Sequence, residues 1–165
     1  MKKFRFTLAS GTKLTIHPPT VRQYYVLKSA SDPKLIVRTA TEIMGKMPET
    51  IDELKCFIKE YLTEVEMIIN NNQQLQIPYA PVEKNYEPHF RCNTEKLKLV
   101  IDYTGLNINE VWELNYFEYR GYLHDAFVWE HSGSKQGREY LEKAYDYQQT
   151  EPDRTGLRRV LSGGK

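Results

Sequence analysis

The sequence predicts a mainly α protein, with an N-terminal β-hairpin followed by two small helical lobes joined by a linker rich in Pro, Asn and Gln. Apolar residues alternate with polar ones over the first 16 positions, as in strands, and then recur at spacings of three and four, as in helices. Neither pattern holds in the linker. We therefore expect a hairpin plus helical lobe at 1–72, a linker at 73–92, an aromatic-rich helical lobe at 93–162 and a mobile tail at 163–165.

The hairpin is predicted from apolar residues that alternate with polar ones on both sides of an Ala-Ser-Gly-Thr turn at 9–12. Its apolar face consists of Phe4, Phe6, Leu8, Leu14 and Ile16. Because a two-stranded hairpin is barely stable alone, we expect this face to pack on a neighbouring element.

Three helices are predicted in the first lobe. Each begins at a residue whose side chain can accept a hydrogen bond from the free N–H groups of the first turn. The first helix is expected at about 20–30 with Thr20 as its cap, the second at 33–46 with Asp32, and the third at 51–70 with Thr50. Gly45 and Pro48 end the second of them, because glycine favours the left-handed conformation that often terminates helices.

Four helices are predicted in the second lobe, at about 94–104, 107–131, 135–148 and 152–161. Thr94 is expected to cap the first of these helices, and Asn107 with Glu110 forms a capping-box pattern for the next. That second helix is long, and a kink in it is expected either near Leu114–Asn115 or near Gly121.

Segment 111–131 is the most informative part of the chain, because 12 of its 21 residues are apolar and seven are aromatic. On a helical wheel these residues lie on three faces: Trp112, Tyr116, Tyr119, Leu123 and Ala126 on one, Leu114, Phe117 and Val128 on the second, and Tyr122 and Trp129 on the third. Such a helix is either the central element of a bundle or is buried on one side and bound to a partner on the other.

Tyr and Trp suit recognition surfaces, because they offer large area at little rotamer cost. We therefore expect part of the aromatic surface to be exposed. The predicted partner-binding residues are Trp112, Tyr116, Tyr119, Tyr122, Phe127 and Trp129, with a contribution from the helix around Tyr140–Tyr147.

No catalytic residue, metal site or cofactor is predicted. His124 and His131 are seven residues apart, about 10 Å along a helix, which is too far for one metal ion without other ligands between them. Cys56 and Cys92 have no flanking motif of a catalytic nucleophile, so we expect buried or inert thiols. Arg120 and Asp125 lie inside the aromatic segment, where a salt bridge or a hydrogen bond to a tyrosine is expected.

The charge pattern argues against binding to nucleic acid or membrane. The chain has 23 Lys and Arg residues against 22 Asp and Glu residues, a net charge of +1, which creates no strong field. Four basic residues (Arg154, Arg158, Arg159 and Lys165) make the C-terminus locally positive, and Arg158 and Arg159 are expected to complement the dipole of a short helix. No apolar run approaches 18 residues, and the first eight are too polar for a signal peptide, so we expect a cytosolic-type protein.

Several segments resemble proteins encoded in the tail modules of long-tailed phages and prophages. The opening, from Phe6 to Val21, resembles the start of such proteins. Five segments of the second half are similar to the phage tail assembly chaperone family: Trp112-Glu113-Leu114, Tyr119-Arg120, Asp125-Ala126, Gly137–Leu141 and Gln149–Arg154.

The resemblance implies a non-enzymatic, mostly helical adaptor in the cytoplasm of the bacterial host. Such a protein reversibly covers the apolar, helical tape-measure protein and recruits tail-tube subunits to it. Self-association and a longer, frameshifted form are left open. One alternative is a structural virion component, such as a tail or head-completion protein. Another is a small nucleic-acid-binding regulator, which would need a recognition helix with a basic exposed face, whereas the helices here mix charge signs.

Overall fold

The structure, a computed structural model, describes residues 3–7, 11, 13–81 and 94–150. It is mainly helical with an N-terminal two-stranded hairpin, which confirms the predicted fold class. The described elements are β1 (Phe4–Thr7), β2 (Lys13–Ile16), α1 (Val21–Ser29), α2 (Pro33–Met44), α3 (Ile51–Asn70), a 3-10 turn (Gln73–Leu75), α4 (Glu95–Thr104), α5 (Ile108–Glu113), α6 (Tyr116–Ser132) and α7 (Lys135–Thr150). The predicted helix at 152–161, the tail at 163–165, Cys92 and the basic C-terminal residues lie outside the described residues.

The hairpin packs its apolar face on α3, as the alternation predicts. β1 and β2 are antiparallel, with Phe4 opposite Ile16, and both of these residues are buried. The ring of Phe4 lies 5.8 Å from that of Tyr61, and the ring of Phe6 lies 6.0 Å from that of Phe57. The two aromatic rings of β1 therefore pack against one side of α3.

Local sequence signals set most helix ends. Thr20 and Asn107 each form the capping box with the residue three positions later, and Thr50 accepts a hydrogen bond from the N–H of Glu53. Gly45 and Gly105 end their helices in the left-handed conformation, with φ of 69° and 74°. Thr94 is an exception: it precedes α4, but its side chain makes no capping hydrogen bond, contrary to the prediction.

The long helix predicted at 107–131 is broken into α5 and α6 at Leu114–Asn115, one of the two expected positions. The segment before α1 pairs with this break: the N–H of Val21 donates to the carbonyl of Leu114 at 3.0 Å, and the N–H of Tyr116 donates to the carbonyl of Pro19 at 2.9 Å. Because these backbone groups bond across the fold, they do not continue the helix. The pairing holds the start of α6 beside the start of α1.

One hydrophobic core draws on both predicted lobes. It contains residues from the hairpin, α1 and α3 of the first lobe together with residues from α4, α5 and α6 of the second. The beginning of the predicted linker also packs on it, through Leu75 and Ile77, and Ala80 is buried. The two lobes therefore share one core, to which α6 contributes Tyr116, Tyr119 and Leu123.

The described helices include none that is both long and apolar enough to cross a membrane.

Candidate functional site

The buried face of α6 carries two of the six predicted partner-binding residues. Tyr116 and Tyr119 are 5% and 1% exposed, and Leu123 and Ala126 are buried on the same face. The ring of Tyr116 stacks on that of Tyr24 in α1, with centroids 3.8 Å apart. The structure thus places Tyr116 and Tyr119 in the core, where they cannot touch a partner, because the aromatic face of the wheel turns inward against α1.

A second face of α6 is exposed, as expected for part of this surface. Tyr122 is 39% exposed and Trp129 is 72% exposed. Tyr103 of α4 lies beside Trp129, with ring centroids 6.5 Å apart, and is itself exposed. We call Tyr103, Tyr122 and Trp129 the outer aromatic surface. Tyr103 is not among the residues predicted from the sequence; its position one helical turn after Leu99 was the available signal.

A groove of about 470 Å³ runs between α4 and α6. Its apolar wall is formed by Ile77, Leu99, Leu123 and Phe127. Its rim carries Lys96 and Lys98 as well as Glu95, Asp102 and Glu130, two positive charges against three negative ones. Lys98 and Asp102 neutralise each other in a salt bridge of 2.6 Å. The groove therefore presents apolar surface with nearly balanced charge at its edges, which suits an apolar side chain better than a charged ligand.

Phe127 is half-buried and belongs to a small aromatic cluster at the end of α6. Its ring stacks on His131 at 4.0 Å and lies 6.0 Å from the ring of Tyr140 in α7. The Nδ1–H of His131 donates to the carbonyl of Phe127 at 2.9 Å. The Tyr140 hydroxyl accepts a hydrogen bond from the N–H of Ala80 at 3.1 Å, so this tyrosine anchors α7. Further along α7, Tyr145 and Tyr147 are exposed.

Trp112 is separated from the outer aromatic surface by the break between α5 and α6. It is half-buried and its ring meets that of Tyr25 in α1 edge-on, at 5.7 Å. Trp129, in contrast, contacts Tyr103 of α4. The two tryptophans pack against different helices, so the structure does not bring them together.

The polar residues inside the aromatic segment bond to the 3-10 turn. The Nε–H of Arg120 donates to the carbonyl of Leu75 at 2.8 Å, and the Nδ1–H of His124 donates to the carbonyl of Gln76 at 2.6 Å. Arg120 was expected to form a salt bridge or a hydrogen bond to a tyrosine, and its hydrogen bond to the Leu75 carbonyl takes the place of these. The acceptors are backbone atoms 45 and 48 residues away, which no local pattern reveals. Asp125 is exposed.

No group of three metal-binding side chains occurs among the residues that the structure describes. Cys56 is exposed rather than buried. Its thiol donates a hydrogen bond to Glu60 at 3.4 Å, and this bond is the main reason why the pKa of the thiol is raised above its usual value. A raised pKa reduces the fraction of reactive thiolate. Of the two expectations for this thiol, buried or inert, the raised pKa agrees with the second.

No family model, curated protein or solved structure matches this chain. A functional proposal therefore rests on the geometry described above and on the resemblance of the quoted segments.

Proposed function

We propose that this chain is a non-enzymatic phage tail assembly chaperone that acts in the cytoplasm of the bacterial host. It reversibly covers the apolar helical tape-measure protein and recruits tail-tube subunits to it. The observation that carries the proposal is the outer aromatic surface. Trp129 of α6 is 72% exposed and lies beside Tyr103 of α4, and these two helices also form the apolar groove.

The chemistry of this surface fits an apolar helix as its ligand. A helix places side chains on one face at spacings of three and four residues, and such side chains insert into grooves between two helices of a partner. Tyr and Trp keep a polar atom for water in the unbound state, which limits the cost of exposing the rings. The groove provides a pocket, and the exposed rings on the same two helices provide further contact area.

The expected affinity is moderate. Burying most of one tryptophan side chain removes on the order of 150 Å² from water, which contributes about 4 kcal/mol. Two tyrosines add less, and ordering of the partner opposes the gain. A surface of this size supports binding that a second protein can reverse. We propose that the tail-tube subunit displaces the chaperone by covering the same apolar helix more tightly.

Co-expression with candidate tape-measure and tail-tube proteins from the neighbouring genes, followed by affinity capture, tests the proposal. The double variant Trp129→Ser, Tyr122→Ser should reduce capture of the tape-measure protein about tenfold or more, because both rings are exposed and contribute contact area. Met47→Ser is the matched control, since Met47 is 71% exposed on the connection between α2 and α3, away from the groove. Trp112 and Tyr119 are unsuitable, because their loss would damage the packing on α1.

Equal capture by the double variant and the native chain would show that the outer aromatic surface is not the binding site. No capture of either protein by the native chain would contradict the chaperone proposal. Persistence of the chain in purified particles, in stoichiometric amounts, would favour the structural virion component instead.

A further inference from the structure

The charge of the chain is unevenly distributed along its length. The first 31 residues hold six Lys and Arg residues and no acid, since the first acidic residue is Asp32. The rest of the chain holds the other 17 of the 23 Lys and Arg residues, together with all 22 Asp and Glu residues. The net charge of +1 therefore combines a local charge of +6 with one of −5, and the basic part contains the hairpin.

One face of the hairpin gathers part of this charge. Phe4 and Ile16 face the core and are buried. Side chains alternate along a strand, so Arg5 and Lys13 lie on the other face, where both are exposed and a threonine stands opposite each of them. Lys3, which precedes β1, is exposed as well. The ion pairs of the described residues include none of these three cations, which we call the basic face.

The first strand of this hairpin also has a free edge. β1 and β2 form a two-stranded sheet, and the backbone hydrogen bonds of the described residues join β1 to β2 alone. Every second residue of a strand points its N–H and C=O groups away from its neighbour. Among the described residues, no second strand uses these groups of β1. An edge of this kind is a template for pairing with an extended segment.

The side chains of the hairpin favour an acidic polypeptide over a nucleic acid. Proteins bind single-stranded nucleic acid through aromatic rings on which the bases stack. The rings of β1 are turned away from the basic face, because Phe4 packs on Tyr61 and Phe6 packs on Phe57. The basic face offers cations and threonines to a ligand, and these suit carboxylates.

We propose that the free edge of β1 binds an extended acidic segment of a partner protein as a third strand. Its backbone continues the hydrogen-bond ladder of the hairpin, which is a recurring mode of peptide recognition. Acidic side chains at every second position lie beside Lys3 and Arg5, and apolar side chains between them lie beside Phe6, which is half-buried. A second copy of β1 fits less well, because it would set Arg5 beside like charges. The inference does not depend on the proposed function, since the outer aromatic surface consists of other residues.

NMR titration of the ¹⁵N-labelled chain with the capped peptide Glu-Val-Glu-Val-Glu-Val tests the proposal. We expect saturable shifts of the amide signals of Phe4–Thr7. The β1 amides that exchange freely in the native chain should become protected from hydrogen exchange. Two peptides serve as controls. Lys-Val-Lys-Val-Lys-Val reverses the charge, and Glu-Pro-Glu-Pro-Glu-Pro keeps the acids but lacks half of the N–H groups that pairing requires. Both should bind at least about tenfold more weakly.

The double variant Lys3→Glu, Arg5→Glu makes the test specific. Both side chains are exposed, so the helical signal and the melting temperature should be retained while the affinity for the acidic peptide falls about tenfold or more. The matched control is Lys135→Glu, Lys143→Glu. It makes the same change of net charge at exposed positions of α7 and should bind as the native chain does.

Equal affinity of the native chain and the Lys3→Glu, Arg5→Glu variant, or equal binding of the proline peptide, would overturn the proposal. Two further results would overturn it by naming another occupant. Shifts of the β1 signals that grow with chain concentration in the absence of peptide would assign the edge to a second copy. Tighter binding of a single-stranded oligonucleotide on the same face would assign it to a nucleic acid.

Discussion

At the scale of single residues, three buried tyrosines link the stability of the fold to pH. Tyr61 and Tyr119 are almost fully enclosed, and Tyr116 is 5% exposed. The Tyr61 hydroxyl donates to the carbonyl of His17 at 2.9 Å, which ties α3 to the segment after the hairpin. Burial is the main cause that raises the pKa of all three hydroxyls above the ordinary value of about 10. The folded state therefore holds these protons more tightly than the unfolded state does.

This difference predicts a loss of stability at alkaline pH. The folded pKa values are raised, so the stabilising contribution is complete below pH 10 and decreases as the pH rises above the unfolded value. Each tyrosine contributes a slope of about −1.4 kcal/mol per pH unit, or about −4 kcal/mol for three. Urea unfolding at several pH values from 9 to 11.5, with tyrosine ionisation followed by absorbance, measures the slope.

The variant Tyr119→Phe provides the control for this pH dependence. It removes one of the three titrating groups, so the slope should fall by about a third. An unfolding free energy that stays constant over this pH range, or a slope that does not change in the variant, would contradict the linkage to the buried tyrosines.

At the scale of elements, α7 reaches α6 through a close approach at one glycine. A Cβ atom placed on Gly137 would overlap the carbonyl oxygen of His131 and would lie 2.7 Å from its carbonyl carbon. Arg138 donates to the carbonyl of Ser132 at 2.8 Å, and Tyr140 binds Ala80. These residues belong to one of the segments that resemble the chaperone family, and their contacts give that segment a structural role in docking α7.

Gly137→Ala should therefore destabilise the protein by about 1–3 kcal/mol, because the obstructing atoms are backbone atoms that cannot move aside cheaply. Gly121→Ala is the matched control: this glycine lies inside α6 with no atom within 4 Å of the added Cβ. That variant should gain up to about 1 kcal/mol from helix propensity. The free energy of unfolding, from urea titration, distinguishes the two. Equal effects of both substitutions would show that the close approach at Gly137 is unimportant.

At the scale of the whole molecule, the shared core determines whether the two predicted lobes fold together. The ring of Phe4 in the hairpin lies 6.2 Å from that of Phe117 in α6, and Tyr24 stacks on Tyr116. Backbone hydrogen bonds join the segment before α1 to the break between α5 and α6. Neither predicted lobe can keep its apolar side chains from water alone, because each completes the other's core.

We therefore expect one cooperative unfolding transition for the full chain. Helical signal at 222 nm and the near-UV signal of the aromatic rings should follow the same urea dependence. A fragment of residues 1–81 should show little fixed tertiary structure, since it lacks α6. Two separate transitions, or a fragment with native-like near-UV signal, would show instead that the lobes fold independently.

Local signals in the chain predicted the hairpin and most ends of the described α-helices. The hairpin, the capping residues Thr20, Thr50 and Asn107, and the terminal glycines Gly45 and Gly105 depend on alternation, hydrogen bonds within one turn or backbone conformation, all of which involve near neighbours. The wheel correctly grouped Tyr122 with Trp129 on a face apart from Tyr119. It could not show which face turns inward, because that depends on which helices lie beside α6.

By itself, then, the sequence determined the fold class, the approximate positions of the described α-helices and the presence of an aromatic belt too extensive for one stripe. Tertiary structure alone decided that Tyr116 and Tyr119 are core, that Trp129 faces outward beside Tyr103, and that Arg120 and His124 bind the 3-10 turn. The reason is physical: helix formation is governed by residues within a turn or two, whereas burial and hydrogen-bond partners are set by contacts between segments that lie far apart in the chain.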